Sequence, residues 1–235
     1  MIKIWKDIGM DIKDENGDFI MPDNEIFDPV YRRIGQLGQP LIGHLAEPIA
    51  AWRPLDPESP HYGYYSTHPE WHFYQKEGVP SWEQIIEARD NVLEKNRSLN
   101  FIGAHFGSMS HDVDEIAKRM DKYPNFYVDS SARTKDLTHQ PSEKVREFFI
   151  KYQDRIMYGI DQTFRPGALE KMTEEEKTAF VEGVEAKYRN HWDYYAGSGP
   201  VEVSGYMTEG LNLPVEVLEK FYFRNARRII PRLKF

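Results

Sequence analysis

Asn100-Phe101-Ile102-Gly103-Ala104-His105 is a short apolar run that ends in a histidine. Two other stretches have the same form: Pro40-Leu41-Ile42-Gly43-His44 and Arg155-Ile156-Met157-Tyr158-Gly159-Ile160-Asp161. Each reads as a strand buried on both faces, the pattern of a parallel sheet. Each also carries, at its carboxyl end, a residue that can bind a metal or move a proton. In α/β barrels that end is where active sites are built. Two histidines and an aspartate on three separate strands are therefore the main clue to function.

Working outward, strand-like runs alternate with helical patterns. A strand is expected at 2–5 and a loop at 7–24. A helix is expected at 28–37, with Asp28 as cap and Pro29 at its first position. After the strand at 40–44 comes a long connection, 45–80, rich in proline and aromatics. Long connections are usually functional or disordered, and the aromatic content argues for a packed lid. Ser81 and Gln84 form a capping-box pattern that opens a helix running to about 97. Further helices are expected at 112–123, 142–152, 173–196 and 214–229, and strands at 100–105, 126–130 and 155–160. The four glycines within 197–213 read as loop. Strands separated by helices imply a parallel sheet. The reading is one domain over 1–235, with a lid-like insertion at about 45–80 and a second insertion at about 168–213.

The 235 residues are 40% hydrophobic with a net charge of −8. That is enough for one core and does not require two domains. No basic block suggests nucleic acid, and no apolar stretch near 18 residues suggests a membrane span. No signal-peptide region opens the chain, so a cytoplasmic protein is expected. Cysteine is absent, which excludes disulfides and thiolate chemistry. A metal site must then use His, Asp, Glu or a lysine carbamate, a donor set suited to zinc or manganese.

Six stretches, in order, resemble the carboxyl-terminal part of the amidohydrolase-related family. They are Lys3-Ile4-Trp5-Lys6-Asp7, Pro40 to Pro48, Ile102-Gly103-Ala104-His105-Phe106-Gly107, Phe126 to Arg133, Tyr158-Gly159-Ile160-Asp161 and Asn225-Ala226-Arg227-Arg228. The resemblance implies an α/β fold of the (β/α)₈ barrel type, with a divalent metal at the carboxyl ends of the strands. It aligns this chain with strands four to eight, so the barrel is expected to be partial. The family's first-strand His-x-His has no counterpart here. By the same resemblance His44 is a metal ligand and His105 a ligand or acid/base group. Asp161 is a ligand that accepts a proton from water. Lys3 matches a lysine that bridges two metals in binuclear members, although a solvated terminal lysine is the simpler reading.

The activity implied is metal-dependent hydrolysis of an ester, lactone or amide. The alternatives are decarboxylation of an aromatic or unsaturated carboxylate, and a non-catalytic, assembly-dependent partial barrel. A small-molecule substrate is expected. The bare edge of the first strand calls for cover by a homo-oligomer or a missing amino-terminal segment.

Other residues have two readings. Glu47 either orients an imidazole or is a loop acid. Arg133 either grips a substrate carboxylate or forms a surface ion pair. Lys6 can reach a substrate carboxylate, and Trp52 can wall a pocket. Asp129 reads as structural, and His61, His68 and His72 as lid packing.

Overall fold

Five parallel strands lie side by side in chain order: β1 (Ile2–Ile4), β2 (Leu41–Gly43), β3 (Phe101–Gly103), β4 (Phe126–Asp129) and β5 (Ile156–Met157). These are features of a computed structural model that describes residues 1–163, 167–231 and 233. Sequential order is that of a (β/α) barrel, whereas a doubly wound sheet reverses at a switch point. Among the described residues the sheet is open: β1 pairs only with β2, and β5 only with β4. In register, Ile4, Gly43, Gly103 and Val128 form one row across four strands. His44 and His105 leave the sheet just beyond that row. Register alone therefore brings them to the same end.

Two glycines in the row are required by close approach. A Cβ on Gly43 would lie 2.3 Å from the ring of the buried Phe101. One on Gly103 would lie 2.8 Å from the Gly107 backbone.

The helices cover the sheet with apolar faces. They are α1 (Asp28–Gln36), α2 (Trp82–Lys95), α3 (Val113–Lys122), α4 (Ser142–Lys151), α5 (Glu174–Ala196) and α6 (Val215–Glu219). A π-helical turn at Lys220–Arg224 then leads into α7 (Asn225–Ile229). Ile85, Val92 and Leu93 of α2 are fully buried. Each such side chain contributes about 1.5–3 kcal/mol. The capping box of α2 is present: Gln84 N–H donates to Ser81 Oγ at 3.2 Å, and Ser81 N–H donates to Gln84 Oε1 at 2.7 Å.

Three expectations need correction. Asp28 is the first helical residue, not the cap, because a 3₁₀ turn at Glu25–Phe27 runs straight into α1. That turn is capped by Asn24, which accepts the Ile26 N–H at 3.1 Å. The strand expected at 155–160 pairs only over Ile156–Met157. Tyr158 N–H donates instead to the Phe221 carbonyl at 2.9 Å, so the last helical segment takes over the chain there. The loop at 197–213 contains an antiparallel hairpin, β6 (Pro200–Val203) and β7 (Tyr206–Glu209). Ser204 and Gly205, both with positive φ, make its two-residue turn, the geometry that hairpins favour.

The connection at 45–80 is folded. Trp52 stacks on Phe73 at 5.1 Å, and the Phe73 and Tyr74 N–H groups both donate to the Ala51 carbonyl. Among the described residues no helix is long and apolar enough to cross a membrane.

Candidate functional site

His44 follows β2 directly, and its N–H donates to the Ile4 carbonyl at 3.1 Å, which extends the ladder by one residue. Its ring is buried, with Trp5 on one side at 4.9 Å and His105 on another at 4.3 Å. Neither ring nitrogen has a hydrogen-bond partner among the described residues. That is a costly state for a buried imidazole.

His105 begins a left-handed turn: His105, Phe106, Gly107 and Ser108 have φ of 58°, 55°, 61° and 62°. Each non-glycine residue there costs about 1–2 kcal/mol. Three contacts hold the turn. Asp129 Oδ1 accepts the His105 N–H at 3.0 Å. Ser108 Oγ donates to the Ala46 carbonyl at 2.6 Å. Arg89 Nη1 donates to the Gly107 carbonyl at 2.8 Å. The His105 side chain is set by Nδ1, 2.7 Å from the Ser131 carbonyl. A carbonyl only accepts, so Nδ1 carries the proton and the Nε2 lone pair is free. Asp161 Oδ2 lies 4.0 Å from that Nε2, on a side chain half exposed to solvent.

Both imidazoles are held neutral. Burial pushes His44 down to about 2, helped by His105 and the charges of Lys6, Arg133 and Lys3. His105 is lowered by burial and then by Arg133, against the opposing pull of the Ser131 carbonyl, Asp129 and Asp161. Neutral imidazoles with free lone pairs are what a divalent cation binds. No group of three His, Asp or Glu is already assembled as a metal cage among the described residues. The two buried imidazoles are donors of the kind a divalent metal takes, and the Asp161 carboxylate stands half in solvent beside them.

The other expected residues divide. Lys6 is buried, ion-paired with Glu47, and its ammonium lies 3.5 Å over the Trp71 ring. Glu47 Oε2 also accepts the Tyr65 hydroxyl at 3.0 Å. Glu47 thus touches no imidazole, and Lys6 is already compensated. Lys3 sits over Trp5 at 4.3 Å on the exposed edge strand. Trp52 donates its indole N–H to the Pro80 carbonyl at 3.0 Å and packs the lid. Arg133 is no surface ion pair. Its side chain is largely buried, and its Nε stands 3.8 Å from Asp136 Oδ2 without a hydrogen bond. His68 stacks on Tyr64 at 4.3 Å, and His72 bonds the Arg53 carbonyl at 2.9 Å, as lid packing requires.

Residues 9–232 match the sequence profile of the family described as amidohydrolase. The chain belongs to that family.

Two solved structures are similar to this chain. One is an uncharacterised TIM-barrel protein, Bb4693, from Bordetella bronchiseptica, at 16% identity and a TM-score of 0.42. The similarity covers 89% of this chain and 51% of that one. The other is 2,6-dihydroxybenzoate decarboxylase in complex with 2,6-dihydroxybenzoate, at 15% identity and a TM-score of 0.40, over 75% of this chain and 57% of that one. The chain thus spans little more than half the length of either. No curated protein matches.

Three further residues, Arg89, Ser110 and Asp136, escape sequence reasoning, and His61, read as lid packing, joins the last two in one cluster. Arg89, on α2, is completely buried and clamps the His105 turn. Asp136, Ser110 and His61 form a buried cluster: the Ser110 hydroxyl and His61 Nε2 both meet Asp136 Oδ2. His61 and Asp136 lie 75 residues apart, and no spacing rule connects them.

Proposed function

We propose that the chain is a metal-dependent hydrolase, with one divalent ion, zinc before manganese, held by His44, His105 Nε2 and Asp161. The observation that carries the reading is the buried His44 ring. Both of its nitrogens are unpartnered, and it lies 4.3 Å from a His105 ring whose outer nitrogen is freed by Ser131. When bound, such an ion lowers the pKa of water toward about 7 and polarises a carbonyl.

The chain's own residues supply the rest. The Ser131 carbonyl fixes the His105 tautomer. Asp161, half exposed, is open to solvent and takes the proton from the attacking water through Oδ2. Burial keeps both imidazoles unprotonated at neutral pH. Arg133 keeps a partly buried guanidinium near both rings and would orient an anionic substrate. The carbon attacked belongs to an ester, lactone or amide.

The test is metal content with activity. Wild type should bind one zinc per chain by calorimetry and elemental analysis, and should hydrolyse members of a lactone and ester panel. His44→Ala and Asp161→Asn should each weaken zinc binding at least tenfold. Full metal content and full activity in both variants would reject the reading.

A second reading, decarboxylation, draws on the same Arg133, since a guanidinium beside the histidine pair suits a substrate carboxylate. Release of CO₂ from aromatic carboxylates, with no turnover of lactones, would favour it.

A further inference from the structure

The ring of His105 stands between two acceptors. Its Nδ1 lies 2.7 Å from the Ser131 carbonyl, and its Nε2 lies 4.0 Å from Asp161 Oδ2. A neutral imidazole carries one N–H, and the hydrogen bond it makes decides which nitrogen keeps the proton. The place of Ser131 therefore sets the tautomer.

Ser131 lies beyond the sheet, since β4 ends at Asp129. The chain turns there: Arg133 N–H donates to the Ser130 carbonyl at 3.0 Å, with Ala132 at a φ of 55°. A left-handed alanine costs about 1–2 kcal/mol, so the turn needs ties from outside it. One is Ser130. Its N–H donates to the Met157 carbonyl at 3.0 Å, and its hydroxyl meets the Gly159 N–H and the Gly159 carbonyl, each at 3.2 Å. The other is Asp129. Its Oδ1 accepts the Ser131 N–H at 3.0 Å, and the same oxygen accepts the His105 N–H at 3.0 Å.

Three hydrogen bonds thus close a ring through three residues. The main chains of His105 and Ser131 hang from one oxygen of a buried side chain, and the His105 ring bonds back to Ser131. The separation of Nδ1 from its acceptor is then set by one atom, where two unlinked turns would move independently. A carboxylate oxygen has lone pairs enough for both donors.

We propose that Asp129 is a positioning residue: through Oδ1 it holds Ser131 against His105 Nδ1, and so keeps Nε2 free of a proton. It acts by the place of that oxygen and not by its charge. The use made of the free Nε2 rests on the hydrolase reading; the positioning itself does not.

The test uses the full chain, isotopically labelled, at neutral pH with no metal or substrate. Long-range proton–nitrogen NMR spectra read the tautomer, the His105 signals being those lost in His105→Gln. Wild type should show the Nδ1–H form. Asp129→Asn keeps an oxygen at the same place and should keep that form. Asp129→Glu keeps the charge but displaces the oxygen by one methylene, and should lose the Nδ1–H form from most of the molecules. Asp129→Ala should do the same. In wild type the His105 and Ser131 amide nitrogens should both show scalar coupling across the hydrogen bond to the Asp129 carboxyl carbon, which decides the matter should the Glu and Ala variants fail to fold. The proposal is overturned by an Nε2–H form in wild type, by loss of the Nδ1–H form in Asp129→Asn, by its retention in Asp129→Glu or Asp129→Ala, or by coupling at only one amide. Metal content and ester turnover are separate measurements, so the hydrolase reading can fail while the positioning holds, and the reverse.

Discussion

Gly103 carries a constraint that its neighbours do not. An alanine there would place its methyl 2.8 Å from Gly107 Cα and 2.9 Å from the Phe126 ring. Gly107 belongs to the left-handed turn, and Phe126 is buried in the core. Gly103→Ala is expected to destabilise the fold by about 1–3 kcal/mol, read as a lower urea midpoint at unchanged slope. His191 makes the second prediction at this scale. Its ring is buried, bonded through Nδ1 to the Tyr158 hydroxyl at 3.0 Å. Burial, then Lys187, pushes it down to about 4. The folded chain therefore declines a proton that the unfolded chain accepts below about pH 6.5. Stability should fall as pH drops from about 6.5 towards 4, with a contribution on the order of 3 kcal/mol from this group. His191→Gln should make that acid limb shallower in urea titrations, the remaining slope belonging to His44, His105 and His111, which burial also lowers. An unchanged limb would rule the assignment out. At this scale the sequence was legible where a residue ends a strand. His44 and His105 were visible as candidates because the row that carries them is apolar and regular. The Asp129 oxygen shared by His105 and Ser131 was not, since sharing depends on neighbours in space.

Among the elements, the last helical segment shows how one side chain docks a helix. Asn225 is buried, and its amide donates to the carbonyls of Gln153 at 2.7 Å and Ile156 at 2.8 Å. It thereby ties α7 to the start of β5. Asn225→Leu would keep the volume and leave two carbonyls without donors. The expected cost is about 2–4 kcal/mol, with the loss of hydrogen-exchange protection concentrated at β5 and α7. Uniform loss across the molecule would argue against a local tie. Arg89 does the same for the turn of His105. Its guanidinium is held by Asp90, which also pairs with Arg119. Arg89→Met should cost about 3 kcal/mol through the unsatisfied Gly107 carbonyl and the broken ion pair, measured by chemical denaturation. Helix spans were legible because periodicity and caps are local. The hairpin at 200–209 was not, because Pro200 and the glycines around it mask a short strand pair, and only the Ser204-Gly205 turn betrays it.

For the whole molecule the deciding feature is the open sheet. Among the described residues β1 pairs on one side only, and Ile2 on it and Trp5 just after it are 42% and 44% exposed. A parallel edge with exposed apolar side chains is prone to pair with another chain. The chain is therefore expected to self-associate at micromolar concentration, and Ile2→Lys should reduce that. Light scattering after size exclusion reads both. A well-folded monomer at all concentrations would exclude it.

By itself the sequence determined the alternation of strands and helices, the family, and the two histidines that follow β2 and β3. All of these are written in patterns of a few neighbouring residues, and the parallel register then carries the two histidines to one end of the sheet. Only the tertiary structure decided what those patterns meet. It gave Glu47 to Lys6 across 41 residues, a buried pair that no short spacing announces. It paired His61 with Asp136 across 75, and turned a lid histidine into part of a buried cluster. The physical reason is range. Periodicity and capping act within a turn or a strand, whereas charge pairing and desolvation depend on which distant segments packing brings within a few ångströms.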